Sequence, residues 1–287
     1  MSLDALVASS IDGLMLGFLY GLAAMGLTLI FGVMRVINLS HGPVIALGMF
    51  VILELTTRFG LSPYLALLFA LAIGLGFGVV VYYVAVQRVI NAPELTTLLA
   101  TFSVNLMIIG LGTVIWTTSP RAVNVSLGSV SAGAVTILGT HAVAVAIAIA
   151  VTIGLYVFLY RTRPGKSIRA VANNRAAAEL MGIDSQSVLA LSFGLGTMLA
   201  MASGGLLATL FSFTILSGGT YETKSFVIVV LGGLGNPTGA LLGGVVLGLL
   251  EGVATIIMPV GWVPVFEYVI FVLILLLRPQ GLLGRRA

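Results

Sequence analysis

Long apolar segments alternate with short groups of charged and turn-forming residues along almost the whole chain. Segments without a charged residue include positions 13–34 (22 residues), 59–87 (29 residues) and 185–221 (37 residues). A helix needs about 20 apolar residues to cross the hydrocarbon core of a bilayer, so each segment is long enough to span a membrane. The pattern predicts spans at roughly 11–33, 43–57, 63–86, 95–117, 140–160, 187–212 and 262–277.

The segment between the last two spans has a different character. Residues 225–258 number 34, about 50 Å of helix, which is enough for two short crossings or for a re-entrant hairpin. Within it, positions 231–239 read LGGLGNPTG, and this glycine- and proline-rich run predicts a helix break. Broken backbone at membrane depth is tolerated where protein or a water-filled cavity surrounds it. We therefore expect Gly235 and Asn236 to face protein or a translocation pathway.

Composition supports the same class of protein. Charged residues make up 8% of the chain, against about 25% in ordinary globular domains, and the mean hydropathy is +1.19. Such a chain cannot cover a soluble fold with a polar shell, so the predicted fold class is an all-α, polytopic transmembrane bundle of about eight spans, with a range of seven to nine. The 36 glycines favour close helix packing, with a backbone-lined pore as the alternative.

The chain contains few of the residue types that catalytic and metal sites use. The absence of cysteine excludes disulfides and Cys-type zinc sites, and two histidines leave little for a metal site or an acyl-transfer triad. The phosphate-loop pattern Gly-x₄-Gly-Lys-[Ser/Thr] does not occur. We therefore expect no catalytic residue, no metal, no cofactor bound by this chain, and no nucleic-acid partner.

The distribution of basic residues predicts orientation. The polar stretch 161–184 contains five of the 13 basic residues, and Arg278, Arg285 and Arg286 lie in the C-terminal tail. Lys and Arg accumulate on the cytoplasmic side, which places both regions inside and, with five spans before the loop, the N-terminus outside. The first segment has no basic residues ahead of it and is kept as a span rather than a signal peptide. Residues 221–224 are then expected in an outside connection.

The polar stretch is expected to contain a short helix. Residues 169–181 are rich in helix-forming Ala, Arg, Glu, Leu and Met, Gly182 is placed to end that helix, and Asp184 can cap the next span. The alternative is a solvated basic loop that meets lipid headgroups.

Three segments carry a family resemblance. The string Gly165-x₃-Arg169-Ala-x₃-Asn174-Arg175-x-Ala177-Ala178-x₂-Met181-Gly182-Ile183 resembles the cytoplasmic loop of permeases of branched-chain amino acid ABC importers, although Ala176 stands where the usual acid is found and Glu179 is nearby. Positions 26–42 (GLTLIFGVMRVINLSHG) and 229–251 (VVLGGLGNPTGALLGGVVLGLLE) resemble the N- and C-terminal motifs of the same family. In length and motif placement the chain is similar to the shorter, LivH-type subunit.

The resemblance implies a single permease domain over 1–287 with a coupling loop at 161–184, in the inner (plasma) membrane of a prokaryote. It implies a second permease subunit in a heterodimer, two cytoplasmic ATPases that bind ATP and Mg²⁺, and an extracytoplasmic substrate-binding protein. The transported solute would be a branched-chain amino acid or a related small polar solute, with urea, amides and aromatic acids as alternatives. Candidate coupling residues are Lys166, Arg169, Asn174, Arg175, Ala177, Ala178, Glu179 and Gly182.

Several polar positions within the spans are candidates for the translocation pathway. Such groups in membranes either find partners or mark pathways. His41 in particular is expected either to line the pathway or to satisfy a buried carbonyl, and the face Thr97/Thr101/Asn105 either hydrogen-bonds neighbouring helices or lines a polar route. Glu251 is the strongest candidate among the acids, ahead of Glu54 and Glu267. The full set is Asn38, Ser40, His41, Thr97, Thr101, Asn105, Gly235, Asn236 and Glu251.

A different class of function stays open at this point. A stand-alone channel or ion-coupled secondary carrier would also be a polytopic helical protein without catalytic residues. A carrier is expected to show inverted repeats and intramembrane ionisable residues for its coupling ions. The sequence shows neither clearly.

Overall fold

The computed structural model describes residues 3–132, 135–277 and 281, so the basic tail residues Arg278, Arg285 and Arg286 lie outside the described residues. The fold is an all-α bundle with one small hairpin, which confirms the predicted class. The helices are α1 (Leu3–Met34), α2 (His41–Phe59), α3 (Pro63–Val81), α4 (Glu94–Trp116), α5 (Gly139–Arg161), α6 (Arg163–Asn173), α7 (Arg175–Leu180), α8 (Ser185–Leu207), α9 (Gly218–Gly232), α10 (Pro237–Ile257) and α11 (Val263–Leu277).

Eight helical segments of the described residues are long and apolar enough to cross a bilayer: α1, α2, α3 with its π-helical continuation Tyr82–Val86, α4, α5, α8, α10, and α11 with the short 3₁₀ turn before it. The short helix α9 has 15 residues, about 22 Å, which is less than the roughly 30 Å hydrocarbon core. The predicted break occurs at residues 233–236, between α9 and α10. The 225–258 region is therefore a short helix joined to a full-length one.

Antiparallel packing of α1 against α10 defines the two ends of the bundle. A Cβ atom on Gly13 would lie 2.9 Å from the Cα atom of Gly252, whereas one on Gly32 would lie 3.0 Å from that of Gly235. At this second end, Gly281 lies against the backbone of α9, so α1 begins at the end opposite to Gly281. Helix α6 also packs near Gly32. We therefore call the end of the bundle that contains Gly32, Gly235 and Gly281 the loop end.

Helix α8 is the central element, since it is buried along almost its whole length and contacts α1, α2 and α3. Glycines make these approaches close. A Cβ atom on Gly74 of α3 would lie 2.9 Å from the Cα atom of Met198, and Gly204 faces the backbone carbonyl of Ile45. Small residues let helices approach in this way, so close packing accounts for these glycines, and a backbone-lined pore stays a prediction.

Helix α2 begins inside the bundle rather than at the loop end. After α1 ends, Arg35 adopts a positive φ of 55° and the chain turns back, so that His41 bonds to the carbonyl of Ala23. Ala23 lies 11 residues before Met34, about 16 Å along the helix axis. The start of α9 lies beside it, because Gly218 packs against the carbonyl of Gly42.

The polar stretch folds as two helices where the sequence predicts one. Asn174 is extended (φ −156°, ψ 103°) and its side chain accepts a hydrogen bond from the Ala177 N–H at 3.0 Å, so it caps α7 and separates it from α6. The predicted stop at Gly182 and cap at Asp184 are confirmed, whereas the helical part of the stretch begins at Arg163 rather than near residue 169. Gly182 has φ +80°, and Asp184 accepts from the Gln186 N–H at 3.1 Å as the cap of α8.

One element was not predicted. Strands β1 (Ser129–Ala132) and β2 (Val135–Leu138) pair antiparallel, with Ser129 opposite Leu138, in the connection between α4 and α5. Gly128, with φ +70°, precedes the first strand. Alternating Ser and Val at 129–131 is the local signal for a strand, and it is too short to stand out beside the long apolar runs.

Candidate functional site

Helix α6 is held against the end of α5 by an arginine. Arg169 donates from Nε to the Leu159 carbonyl at 3.1 Å, and its guanidinium carbon lies 4.4 Å from the centre of the Tyr160 ring. Gly165 is buried against the same turn of α5, close enough to contact its backbone. Because both contacts are to the last turns of α5, a displacement of α6 would move that helix end.

Helix α7 is tied to the start of α8. Arg175 bonds to Glu179 at 3.0 Å and to the Ser185 hydroxyl at 3.2 Å, while that hydroxyl donates to Glu179. The bond from Ser185 and then the one from Arg175 lower the pKa of Glu179 below its ordinary value. The hydroxyl of Ser187 similarly lowers the pKa of Asp184. The loop is thus linked to α5 on one side and to α8 on the other.

The tip of the loop presents apolar side chains to its surroundings. Leu180 is 89% exposed and Met181 is 83% exposed, beside the helix-ending Gly182. Lys166 and Ala177 are also exposed, whereas Ala178 is buried. Exposed apolar residues on a polar segment are typical of a docking surface. The coupling roles of these residues stay predictions.

The polar residues at the start of α2 are buried and mostly bonded to protein. The Ser40 hydroxyl donates to Asn38 Oδ1 at 2.7 Å, and His41 Nε2 lies 3.0 Å from the Ala23 carbonyl. Asn38 Nδ2 and His41 Nδ1 have no hydrogen-bond partner among the described residues. Of the two alternatives for His41, the structure shows the bond to a buried carbonyl, and a pathway role stays a prediction.

The polar face of α4 holds the turn before α2. The Thr101 hydroxyl donates to the Ile37 carbonyl at 3.1 Å and accepts from the Leu39 N–H, while Asn105 Nδ2 donates to the Leu39 carbonyl at 2.6 Å. The Thr97 hydroxyl bonds to a carbonyl in the connection before α4. This polar face therefore hydrogen-bonds neighbouring segments, which was one of its two predicted roles. Lining of a pathway by this face stays a prediction.

A charge cluster lies inside the bundle, between α9, α10 and α11. Lys224 Nζ is 2.6 Å from Glu251 and 2.8 Å from Glu267, and it lies 4.7 Å from the centre of the Tyr20 ring. The three charged side chains are at most 20% exposed. The expectation of a connection at 221–224 is therefore wrong, because these residues form part of α9, whereas their placement on the outside stays a prediction. In the sequence, Lys224 lies between two apolar stretches, and this position could have indicated that it pairs with Glu251.

Glu54 has a different environment. It pairs with Arg58 one turn later in α2 and accepts a hydrogen bond from the indole N–H of Trp116 at 2.7 Å. Arg58 is largely exposed. Such an arrangement at a helix end fits an interfacial anchor.

The break between α9 and α10 adjoins the polar loop. Gly235 has φ +79°, and Asn236 accepts from the Gly239 N–H at 3.2 Å as the cap of α10. Both residues line a cavity of about 430 Å³ at the loop end, together with Arg169 of α6. The fold thus brings a candidate coupling residue and two candidate pathway residues to one cavity.

Comparison with known proteins identifies the family. The family model described as "Branched-chain amino acid transport system / permease component" matches residues 9–277. The chain belongs to this family. The permease protein BraD of Pseudomonas aeruginosa is 29% identical over 96% of this chain and 94% of its own length, and a probable LivH of Methanocaldococcus jannaschii is 30% identical over 92% and 88%. The fructose import permease FruG of Bifidobacterium longum is 28% identical over 75% and 66%. No solved structure matches significantly.

Membership in the branched-chain amino acid permease family agrees with the architecture. The match covers α2 to α11 completely and begins within α1, so it includes the polar loop and the break after α9. With eight apolar helices, this family member is a multi-pass membrane protein. The resemblance of the three sequence segments to the family is thereby confirmed.

Proposed function

We propose that this chain is the permease subunit of an ATP-driven importer for branched-chain amino acids or related small polar solutes. The observation that carries the proposal is the family match over residues 9–277. BraD is named a permease of a high-affinity branched-chain amino acid transport system, which supports aliphatic amino acids as the first solutes to test. Urea, amides and aromatic acids follow as alternatives within the same class.

In this proposal the loop end faces the cytoplasm, and the N-terminus faces outside. Two ATPase subunits, which bind ATP and Mg²⁺, dock on the coupling loops of the two permeases, and α6 and α7 form the loop of this chain. A second permease completes a heterodimer, and an extracytoplasmic protein delivers the solute at the opposite end. The excess of basic residues in 161–184 and the exposed apolar tip at Leu180 and Met181 support this assignment.

The contacts of the loop supply a mechanical link. Arg169 joins α6 to α5, and the Arg175–Glu179–Ser185 contacts join α7 to α8. When the ATPases close, they displace the loop, and α8 moves with it because α7 is bonded to the start of α8. The movement reaches α1, α2 and α3 because α8 packs against them. A rigid-body movement of this kind would alternate the inward and outward openings.

The decisive experiment is ATPase activity of the chain reconstituted with its candidate permease, ATPase and binding-protein partners. Stimulation by a leucine-loaded binding protein supports the proposal. Assembly without stimulation keeps the importer assignment and moves the substrate search to urea, amides and aromatic acids. No assembly with ATPases contradicts the proposal.

Docking is tested at the apolar tip. Leu180→Asp places a charge on the exposed tip, whereas Val130→Asp places one on the hairpin at the connection between α4 and α5, where Val130 is also exposed. We expect Leu180→Asp to lose ATPase copurification at least about tenfold and Val130→Asp to retain it, since loss of one well-packed contact costs about 1.4 kcal/mol or more. Equal copurification by both variants would contradict docking at this tip.

A secondary carrier is the second candidate, and one observation favours it. The cluster of Lys224, Glu251 and Glu267 is an intramembrane group of ionisable residues, which carriers use for coupling ions. Solute transport by this chain alone in liposomes, driven by an ion gradient and without ATPases, would establish the carrier and refute the importer.

A further inference from the structure

The cavity at the loop end has the chemistry of an anion site. Among the described residues that line it, Arg169 is the single charged residue, and its lining contains no carboxylate. Nε of Arg169 bonds to the Leu159 carbonyl, and no other hydrogen bond of the guanidinium is present within the described residues. The free guanidinium nitrogens are therefore available to an anionic group, for which Arg is the preferred partner.

A second observation points to a ligand. Thr28 of α1 is among the residues that line the cavity and is fully buried, yet its hydroxyl has no hydrogen-bond partner among the described residues. A buried polar group without a partner costs about 1–3 kcal/mol, so such groups normally meet a partner within the protein, a water or a ligand. Thr28 thus places an unpartnered hydroxyl beside the cavity.

The start of α10 also lines the cavity. This helix has 21 residues, and its capping residue Asn236 and Thr238 both line the cavity. The N-terminus of a helix carries a partial positive charge that favours anions. The Thr238 hydroxyl is 2.6 Å from the Tyr156 hydroxyl, and this contact joins α10 to α5 within the lining of the cavity.

Part of the lining is aliphatic, which can hold a short tail. Leu29 and Val33 of α1, Leu159 of α5 and Ile168 of α6 are among the lining residues. The volume of about 430 Å³ lies within the usual range of small-molecule sites, about 300–1,000 Å³. The ligand that fits this wall has one anionic head and one aliphatic tail.

We infer that the cavity between α1, α5, α6 and the start of α10 binds a small amphiphilic molecule, with its carboxylate or phosphate group on Arg169 and its tail among the aliphatic side chains. Two sources carry such a group: a free aliphatic amino acid at the loop end, which is a zwitterion, and the headgroup region of an anionic phospholipid. Because Arg169 also belongs to the loop and α10 follows the break after α9, an occupied cavity would hold these two segments together. The choice of leucine as the soluble probe rests on the proposed function, whereas the site itself does not.

Equilibrium dialysis of labelled leucine against the full chain in detergent, without binding protein or ATPases, tests the soluble source. We expect saturable binding, at least about tenfold weaker for Arg169→Gln and about fivefold weaker for Thr28→Val, because a charged hydrogen bond contributes more than a neutral one. Leucinamide, which lacks the carboxylate, should not compete. Arg163→Gln, at the exposed start of the same helix and outside the lining, is the matched control and should bind normally.

A second measurement tests the lipid source. Phosphatidylglycerol that copurifies with the chain is quantified by mass spectrometry for the wild type and the same variants. Retention that falls in both Arg169→Gln and Thr28→Val, but not in Arg163→Gln, assigns the cavity to a lipid. The inference is overturned when neither leucine nor phosphatidylglycerol binds, or when binding is the same in Arg169→Gln and Thr28→Val as in the wild type. Since no ATPase enters either measurement, failure here is distinguishable from failure of the importer proposal.

Discussion

Replacing Lys224 by methionine removes the cation between two buried carboxylates. Its Nζ atom lies 2.6 Å from Glu251 and 2.8 Å from Glu267. At an effective dielectric constant of about 20, each attraction amounts to about 6 kcal/mol. Protonation of a carboxyl in the variant limits the loss, and removal of one partner of a buried ion pair typically costs about 3–5 kcal/mol. We therefore expect Lys224→Met to destabilise the protein by about 3–5 kcal/mol.

The assay is thermal unfolding of the purified chain in detergent, where this loss corresponds to a drop of about 6–15 °C in the midpoint. The triple variant Lys224→Met, Glu251→Gln, Glu267→Gln removes the charges together and should recover most of the stability, because neutral amides leave no uncompensated charge. Lys224→Arg keeps the cation and should lose less than Lys224→Met. A loss below about 1 kcal/mol for Lys224→Met would refute the reasoning, since it would mean that the carboxylates are solvated.

Three further outcomes follow from the structure. Asn174→Ala removes the cap of α7 and should cost about 1 kcal/mol of local stability, seen as faster amide exchange in α7 alone. The Ser185 hydroxyl lowers the pKa of Glu179, so the contact between Glu179 and Ser185 is fully present above pH 4.5, the ordinary pKa of the carboxyl, and is lost as the pH falls through the lowered pKa. A spin label on α7 should gain mobility only in that acidic range. Gly204→Val forces a side chain against the backbone of α2 and should cost about 3 kcal/mol in thermal unfolding, whereas Gly154→Val, which meets open space, should cost under about 0.5 kcal/mol.

The prediction of the loop helix shows how far local signals reach. The composition of 169–181 predicts helix, and Gly182 and Asp184 end and begin helices as predicted. The interruption at Asn174 was missed because asparagine competes with the helix through its own side chain, and the propensities of its neighbours hide that single residue. The coupling role of the loop rests on resemblance and awaits the docking experiment.

The candidate pathway residues show the opposite limit. Asn105 bonds to Leu39 and Thr101 to Ile37, partners more than 60 positions away in the chain. A helical spacing of four residues places such side chains on one face, but it does not say which helix that face meets. For this reason the sequence left hydrogen bonding and pathway lining as equal alternatives.

By itself, the sequence determined the class of fold, most of the spans, the break near 231–239 and the family, because apolar length and turn-forming residues are local properties. Helix packing was needed to show where α2 begins, that Lys224 lies between two carboxylates with little exposure, and that Thr28 and Arg169 line one cavity. These features depend on which helices are neighbours. In an almost uniformly apolar chain, many helix arrangements bury similar surface, so close glycine contacts and buried polar partners select among them.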